Sequence, residues 1–220
     1  MANQTRGKLQ SEIPTLILAG GLSRRMGGTN KTLLKVAGTP LIEHVIRRIK
    51  PQIEGPLAIN SNHPPEDFSA FGLPVISDPV GGRVGPLAGV LAGLLWARDM
   101  QTTASHLLTV PGDVPFLPSD LVSQLTAAAH NGEQPPPIVV AASAERTHGV
   151  IGLWSVALCD PLLAALEAGE RTVLRWVERC GMRVVQFDET HIGGHTIDPF
   201  FNVNTPDDLA LADRVLQAIE

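Results

Sequence analysis

Cysteine is nearly missing from this chain, and its scarcity excludes two chemistries. Among 220 residues there are two cysteines, Cys159 and Cys180. They form neither the spacing of a metal site nor a disulfide framework. Isolated thiols suit a reducing cytosol, and both fall in or beside apolar helical segments, where a core role outweighs a nucleophilic one. An excess of positive charge is missing too. The formal net charge is −5, so there is no global basic field for nucleic acid, and any anion must be held by a local cluster. No apolar run is long enough to cross a bilayer. The polar beginning, MANQTRGKLQSE, lacks the apolar stretch of a signal peptide. The expectation is a cytoplasmic protein with neither nucleic acid nor membrane as partner. Without a secretion signal, the glycosylation triplets at Asn3 and Asn30 are chance matches. No G-x-S-x-G signature of a serine nucleophile is present.

What is present starts with residues 15–34, TLILAGGLSRRMGGTNKTLL. An apolar run, Leu16-Ile17-Leu18, breaks into Gly20 and Gly21. Arg24, Arg25, Gly27, Gly28 and Lys31 follow. This pattern predicts a buried strand emptying into a loop. Glycine lets backbone N–H groups approach a ligand closely, because no Cβ stands in the way. Cations spaced through such a loop suit a phosphate chain. The spacing is not that of a Walker A loop, because Asn30 precedes Lys31 where that motif has glycine. Nor is it the dinucleotide fingerprint, because Gly20-Gly21 is followed by Leu22-Ser23-Arg24. A plain glycine-rich turn with surface arginines is the weaker reading of so many glycines and cations after a buried strand.

Hydrophobic residues make up 44% of the chain, enough for a proper core. Residues 1–12 read as a flexible tail and 13–220 as one domain, with no internal repeat and no linker long enough to separate two. Short apolar runs at 15–19, 57–59, 73–77 and 106–110 predict strands. Helical spacing at 41–49, ended by Pro51, and at 86–98 predicts helices. Ala88, Gly89, Ala92 and Gly93 let the second helix pack close against a sheet. Residues 37–40 read as a turn. Further helices are expected at 118–131, 160–168 and 172–180, and strands at 138–142, 150–154 and 184–187. A last helix opens at Thr205 as N-cap, with Pro206 in the first turn and Asp208 three residues on. Alternating strands and helices predict an α/β fold with a mostly parallel central sheet covered on both faces.

In such a sheet, ligands bind beyond the carboxyl ends of the strands. The polar residues there are Gly20-Gly21, Asn60, Asp78 and Asp113. Asp113 follows a very apolar strand and is a natural Mg2+ ligand, since magnesium takes a few carboxylates plus phosphate oxygens. Capping the helix near Pro118 is the alternative, and position favours the metal. Asp78 either starts an Asp-Pro turn or faces the site. Asn60 either caps a loop or reads a base edge through its amide. Local sequence leaves both open. His191-Ile192-Gly193-Gly194-His195 reads as a solvated loop, because the glycines argue against a helix presenting both imidazoles and no third ligand is spaced to help.

The stretch Leu18-Ala19-Gly20-Gly21-x-Ser23-x-Arg25-Met26-Gly27, with Lys31 and Leu33-Leu34, resembles the signature loop of the nucleotidyltransferase superfamily. Within it, the chain resembles the molybdenum cofactor guanylyltransferase family. Further matches run in order: Asn60, Asp78, Gly85-Pro86-Leu87-Ala88-Gly89, Gly112-Asp113-Val114-Pro115-Phe116, Gly169-Glu170-Arg171 and Asn202-Val203-Asn204-Thr205-Pro206-Asp207-Asp208. The resemblance implies a Rossmann-like α/β three-layer sandwich that transfers GMP from GTP to the terminal phosphate of molybdenum-molybdopterin and releases pyrophosphate. It implies that Leu18, Ala19, Gly20, Gly21, Lys31, Asn60, Asp78 and Asp113 hold GTP. Arg25, Lys31 and Asp113 would be catalytic, and Asp113 would carry Mg2+. Arg25 and Lys31 would take the β- and γ-phosphates. Residues 202–204 and Arg171 would lie nearer the pterin or the transferred phosphate. Molybdenum insertase and molybdoenzyme chaperones are implied as partners. The family usually has aspartate before the loop lysine, and here it is Asn30. A sister enzyme using CTP or making a nucleotide sugar, and a silent nucleotide-binding module, are the rival readings.

Overall fold

A computed structural model of the chain describes residues 12–20, 30–80, 85–100, 104–132 and 134–219. Gly21, Arg24, Arg25, Gly27, Gly28 and nearly all of the expected N-terminal tail lie outside the described residues. Seven strands form the central sheet. They are β1 (Thr15–Leu18), β4 (Leu57–Asn60), β5 (Val75–Ile76), β6 (His106–Pro111), β7 (Ile138–Ser143), β8 (Arg146–Ser155) and β9 (Met182–Phe187), in the order β5-β4-β1-β6-β8-β7-β9. Four neighbouring pairs are parallel, and only the two pairs made by β8 are antiparallel. The sheet is thus mixed and mostly parallel, as expected.

Successive residues of a strand face opposite sides, and this sorts the core into two layers. Ile17, Ile59, Leu108, Val139 and Leu153 share a cluster with α1 (Leu41–Ile49). Their strand neighbours Leu16, Ala58, Leu107, Val140 and Trp154 share the opposite cluster with α2 (Pro86–Asp99). The first cluster also takes α3 (Leu121–His130), and the second takes α4 (Cys159–Glu167) and α5 (Val173–Cys180). A sheet buried on both faces explains why its strands read as continuous apolar runs rather than alternating ones. Helix α1 keeps its apolar residues on one face and gives way to a 3-10 turn containing Pro51. Helix α6 (Pro206–Gln217) begins at a complete capping box, in which the Thr205 and Asp208 side chains each bond the other's backbone N–H. Such a cap contributes about 1 kcal/mol. Cys159 is buried in the second cluster, in keeping with a core role.

Several expected elements changed length. The third strand is only Val75–Ile76, because it lies at the sheet edge beside Pro74, which has no N–H to donate. The helix expected from Pro118 starts at Leu121, so Asp113 is no cap for it. The turn expected at residues 37–40 belongs to a small hairpin over residues 35–40, β2 (Lys35–Val36) with β3 (Thr39–Pro40). Residues 190–197 are another hairpin, β10 (Thr190–Ile192) with β11 (His195–Ile197), rather than a loop. Gly193 and Gly194 both take positive φ at its turn, the backbone of a two-residue hairpin. The His191 ring bonds the Thr196 hydroxyl at 2.9 Å, and His195 pairs with buried Ile192. The pairing puts the two imidazoles on opposite faces of the hairpin.

Candidate active site

Four parallel strands stop at one level. Leu18 pairs with Asn60 on one side and Pro111 on the other, and Asn60 pairs with Ile76. The residues that follow each strand are therefore brought together by register alone. The Ala19 N–H donates to the Asn60 carbonyl at 2.8 Å, and the Gly112 N–H donates to the Leu18 carbonyl at 2.9 Å. Ala19 also accepts from the Asn30 amide at 3.2 Å, so both of its backbone groups are already committed.

Asn30 is 3% exposed and caps the 3-10 turn Lys31–Leu33. Its Oδ1 accepts from the Thr32 N–H at 3.0 Å and the Thr32 hydroxyl at 2.8 Å. An aspartate could accept those two bonds but could not donate to Ala19. Asparagine at this position thus ties the start of the lysine turn to the end of β1.

Lys31 is the hub of the inner half of the site. Its Nζ lies 2.5 Å from Asp113 Oδ2, 3.1 Å from Asn202 Oδ1 and 2.7 Å from Asn204 Oδ1. An ammonium has three protons to donate, and all three have protein acceptors. Residues 202–204 were expected near the pterin or the transferred phosphate, and they meet Lys31 itself. Burial pushes the Asp113 carboxyl up, and the Lys31 ammonium pulls back part of that shift. Asp113 Oδ1 is the one buried side-chain oxygen without a partner among the described residues. Leaving such an atom unmet costs about 1–3 kcal/mol, more for a charged group. A divalent cation fits that oxygen. The described residues hold no group of three or more histidine, cysteine or acidic ligands, so a cation here draws on one carboxylate and must find its other oxygens in water or a ligand. That is a donor set magnesium accepts.

The outer half is built from amides. Asn60 Nδ2 donates to the Ile76 carbonyl at 3.0 Å and to Asp78 Oδ1 at 2.9 Å. Asn60 Oδ1 faces α2 at Gly89, where an added Cβ would stand 2.3 Å away. Glycine is required there, and the small-residue face of α2 is the reason the strand end and the helix can meet. Asn60 therefore holds Asp78 rather than offering its amide to a ligand. Asn62, which sequence reasoning passed over, donates to Asp78 Oδ2 at 2.7 Å.

The segment carrying Asn202 and Asn204 is pinned at several points. The Val203 N–H donates to the Asp113 carbonyl at 3.1 Å. Asp198 Oδ1 accepts from the Ser143 hydroxyl at 2.7 Å and the Phe200 N–H at 2.8 Å. Ser143 Oγ also bonds His148 Nε2 at 2.8 Å, and the His148 ring packs on Phe200. Burial lowers the His148 pKa first of all, Asp198 opposes that shift and Arg146 adds to it. Serine bridges the other two side chains, so this is not the order of a nucleophilic triad. Arg171 donates to the Leu166 carbonyl at 2.8 Å, and its own carbonyl lies near Gly85, at the start of α2. Of the expected site residues, Leu18, Ala19, Gly20, Lys31, Asn60, Asp78 and Asp113 gather at the strand ends. Gly21 and Arg25 fall outside the described residues.

The MobA-like NTP transferase domain family matches residues 15–182. A molybdenum cofactor guanylyltransferase of Rhodopseudomonas palustris is 47% identical over 203 residues, covering 92% of this chain and 93% of the relative. Among solved structures, the molybdopterin-guanine dinucleotide biosynthesis protein A of Archaeoglobus fulgidus superposes with a TM-score of 0.73 at 22% identity, over 94% of this chain and 100% of that one. A Mycobacterium tuberculosis protein solved in complex with manganese superposes with a TM-score of 0.65 at 18% identity, over 95% of this chain and 100% of that one.

Proposed function

The chain belongs to the molybdenum cofactor guanylyltransferase family, and we propose that the ends of β1, β4, β5 and β6 are where it moves GMP from GTP to the terminal phosphate of molybdenum-bound molybdopterin. A phosphate oxygen of the acceptor bonds to the α-phosphorus of GTP. The bond from that phosphorus to the oxygen bridging to the β-phosphate breaks, and pyrophosphate leaves. The acceptor phosphate is already largely ionised near neutral pH. Catalysis then asks for positioning and charge neutralisation rather than a strong general base.

The partnerless Oδ1 of Asp113 carries this reading. Asp113 would hold a divalent cation there, magnesium in our reading, with phosphate oxygens and water around it. When bound, the cation neutralises phosphate charge. Lys31 steadies the other carboxylate oxygen. A triphosphate that reaches Lys31 takes the place of one of its two asparagine oxygens, which frees Asn202 or Asn204 toward the acceptor. Gly20, Gly21 and Arg25 serve the β- and γ-phosphates. At the outer end Asp78 reads the base. Guanine presents a ring N–H beside its 2-amino group, two adjacent donors that one carboxylate can accept. Cytosine and uracil offer no such pair, which favours GTP over the CTP-using alternative. Residues 13–220 act as one catalytic domain in the cytoplasm. The finished cofactor would pass to molybdoenzyme chaperones, with molybdenum insertase upstream.

The test is pyrophosphate release with molybdenum-loaded molybdopterin and Mg2+, with GTP, CTP and UTP offered in turn. Turnover with GTP alone is expected. Turnover with CTP or UTP in place of GTP overturns the nucleotide assignment, and no release with any nucleotide favours the silent module.

A further inference from the structure

We propose that Asn62 is a positioning residue for guanine recognition: it fixes the orientation of the Asp78 carboxylate and so sharpens the choice of GTP over nucleotides lacking the 2-amino group. The proposal rests on the reading that Asp78 accepts from the guanine edge.

The geometry begins where the sheet ends. Strands β4 and β5 pair as far as Asn60 and Ile76, and the last backbone bond runs from the Ser61 N–H to the Ile76 carbonyl at 3.0 Å. Beyond it, side chains continue the pairing. Asn60 and Asn62 are two residues apart on a chain leaving a strand, the spacing that keeps side chains on one face. Both amides reach the same carboxylate, which stands two residues beyond Ile76. Asn60 donates to Asp78 Oδ1 at 2.9 Å, and Asn62 donates to Oδ2 at 2.7 Å. The Asp78 N–H donates back to Asn62 Oδ1 at 2.9 Å, closing a ring between the two residues.

The two oxygens have different guardians, and that decides the role. The last torsion of an aspartate is broad and weakly staggered. One bond from Asn60 would hold one oxygen and let the group turn about it. The second bond, on the opposite oxygen, removes that freedom. An ionised carboxylate has about four lone-pair sites. One amide on each oxygen leaves about one acceptor site on each, side by side, to meet two adjacent N–H donors. The Asn62 side chain is exposed, so removing it is expected to spare the fold.

The experiment is calorimetric titration of the full chain, with Mg2+ present, using GTP, inosine triphosphate (which lacks the 2-amino group) and ATP. Wild type is expected to prefer GTP to inosine triphosphate by about tenfold. Asn62→Ala should weaken GTP about fivefold and cut that preference to about twofold, with ATP binding and the melting temperature unchanged. Asp78→Asn separates the proposal from the reading beneath it. Its amide donates where the carboxylate accepts, so it should move preference toward xanthosine triphosphate, which carries an oxygen in place of the 2-amino group. If Asp78→Asn loses guanine preference and Asn62→Ala keeps it, the positioning role is overturned alone. If Asp78→Asn keeps the wild-type preference, the reading of Asp78 fails and the proposal fails with it. A uniform loss of all three nucleotides in Asn62→Ala also overturns it.

Discussion

Asp113 and Asp78 are both carboxylates just past parallel strands, yet the chain treats them in opposite ways. Asp113 keeps only 13% of its side chain exposed, is paired with a cation and is left with one buried oxygen unmet. Asp78 is half-buried and held by two neutral amides, one on each oxygen. Burial with an ammonium alongside concentrates charge where dielectric screening is weak, which suits phosphate and metal. Neutral amides fix a direction without cancelling the negative charge, which suits the N–H donors of a base. The carboxyl ends of one set of parallel strands thus supply a charge-handling end and a shape-reading end.

The largest break in that comparison is expected from Asp113→Asn. Pyrophosphate release should fall by about 1000-fold or more, and the Mg2+ dependence of nucleotide binding should disappear. Lys31→Met comes next, with about a 100-fold loss of turnover. It leaves a buried carboxylate without its countercharge, and it unties Asn202 and Asn204, so hydrogen exchange should rise across residues 198–204. Gly89→Ala sharpens the comparison from the other end. Its Cβ must push Asn60 Oδ1 from 2.3 Å, so GTP affinity should drop several-fold while pyrophosphate affinity holds, with stability lower by about 1–3 kcal/mol.

The smallest effect belongs to the anchor behind the two asparagines. His148 has its pKa lowered from about 6.5, chiefly by burial. The unfolded chain therefore takes up that proton before the folded one does. Stability from this group is full above about pH 6.5 and is lost as pH falls through the lowered folded value. Because the ring is half-exposed, the effect is expected to be under about 1 kcal/mol. Melting curves for wild type and His148→Gln should converge on acidification, and a wild-type melting temperature that rises below pH 6.5 at this group's expense would contradict the sign.

Sequence pattern carried most of this architecture. Leu41–Ile49 is a helix with the expected bounds, because its apolar spacing and Pro51 leave little choice. The strand ends were legible because each apolar run stops at a polar residue, and Asn60, Asp78 and Asp113 all mark such stops. Short elements were not legible. The hairpin at residues 190–197 has strands of three residues each, too few for alternation to show, and its two glycines read as loop. Nor were pairings across the chain. Lys31 meets Asn202 and Asn204 across separations of 171 and 173 residues, and local pattern holds no trace of that. Asn62 offered only a faint signal, its two-residue offset from Asn60. Asn30 was an oddity of charge in the sequence and is a buried amide with donor and acceptor both in use in the fold.

The most direct test of the division of labour is a pair of titrations with Mg2+ present, one with pyrophosphate, which has no base, and one with GTP against inosine triphosphate. They would be run on wild type, Asp113→Asn and Asp78→Asn. The account predicts that Asp113→Asn loses pyrophosphate binding but keeps its preference for guanine in whatever nucleotide affinity remains. Asp78→Asn should keep pyrophosphate binding and lose the preference. Equal loss of both properties in both variants would contradict it, because the two carboxylates would then be acting as one site.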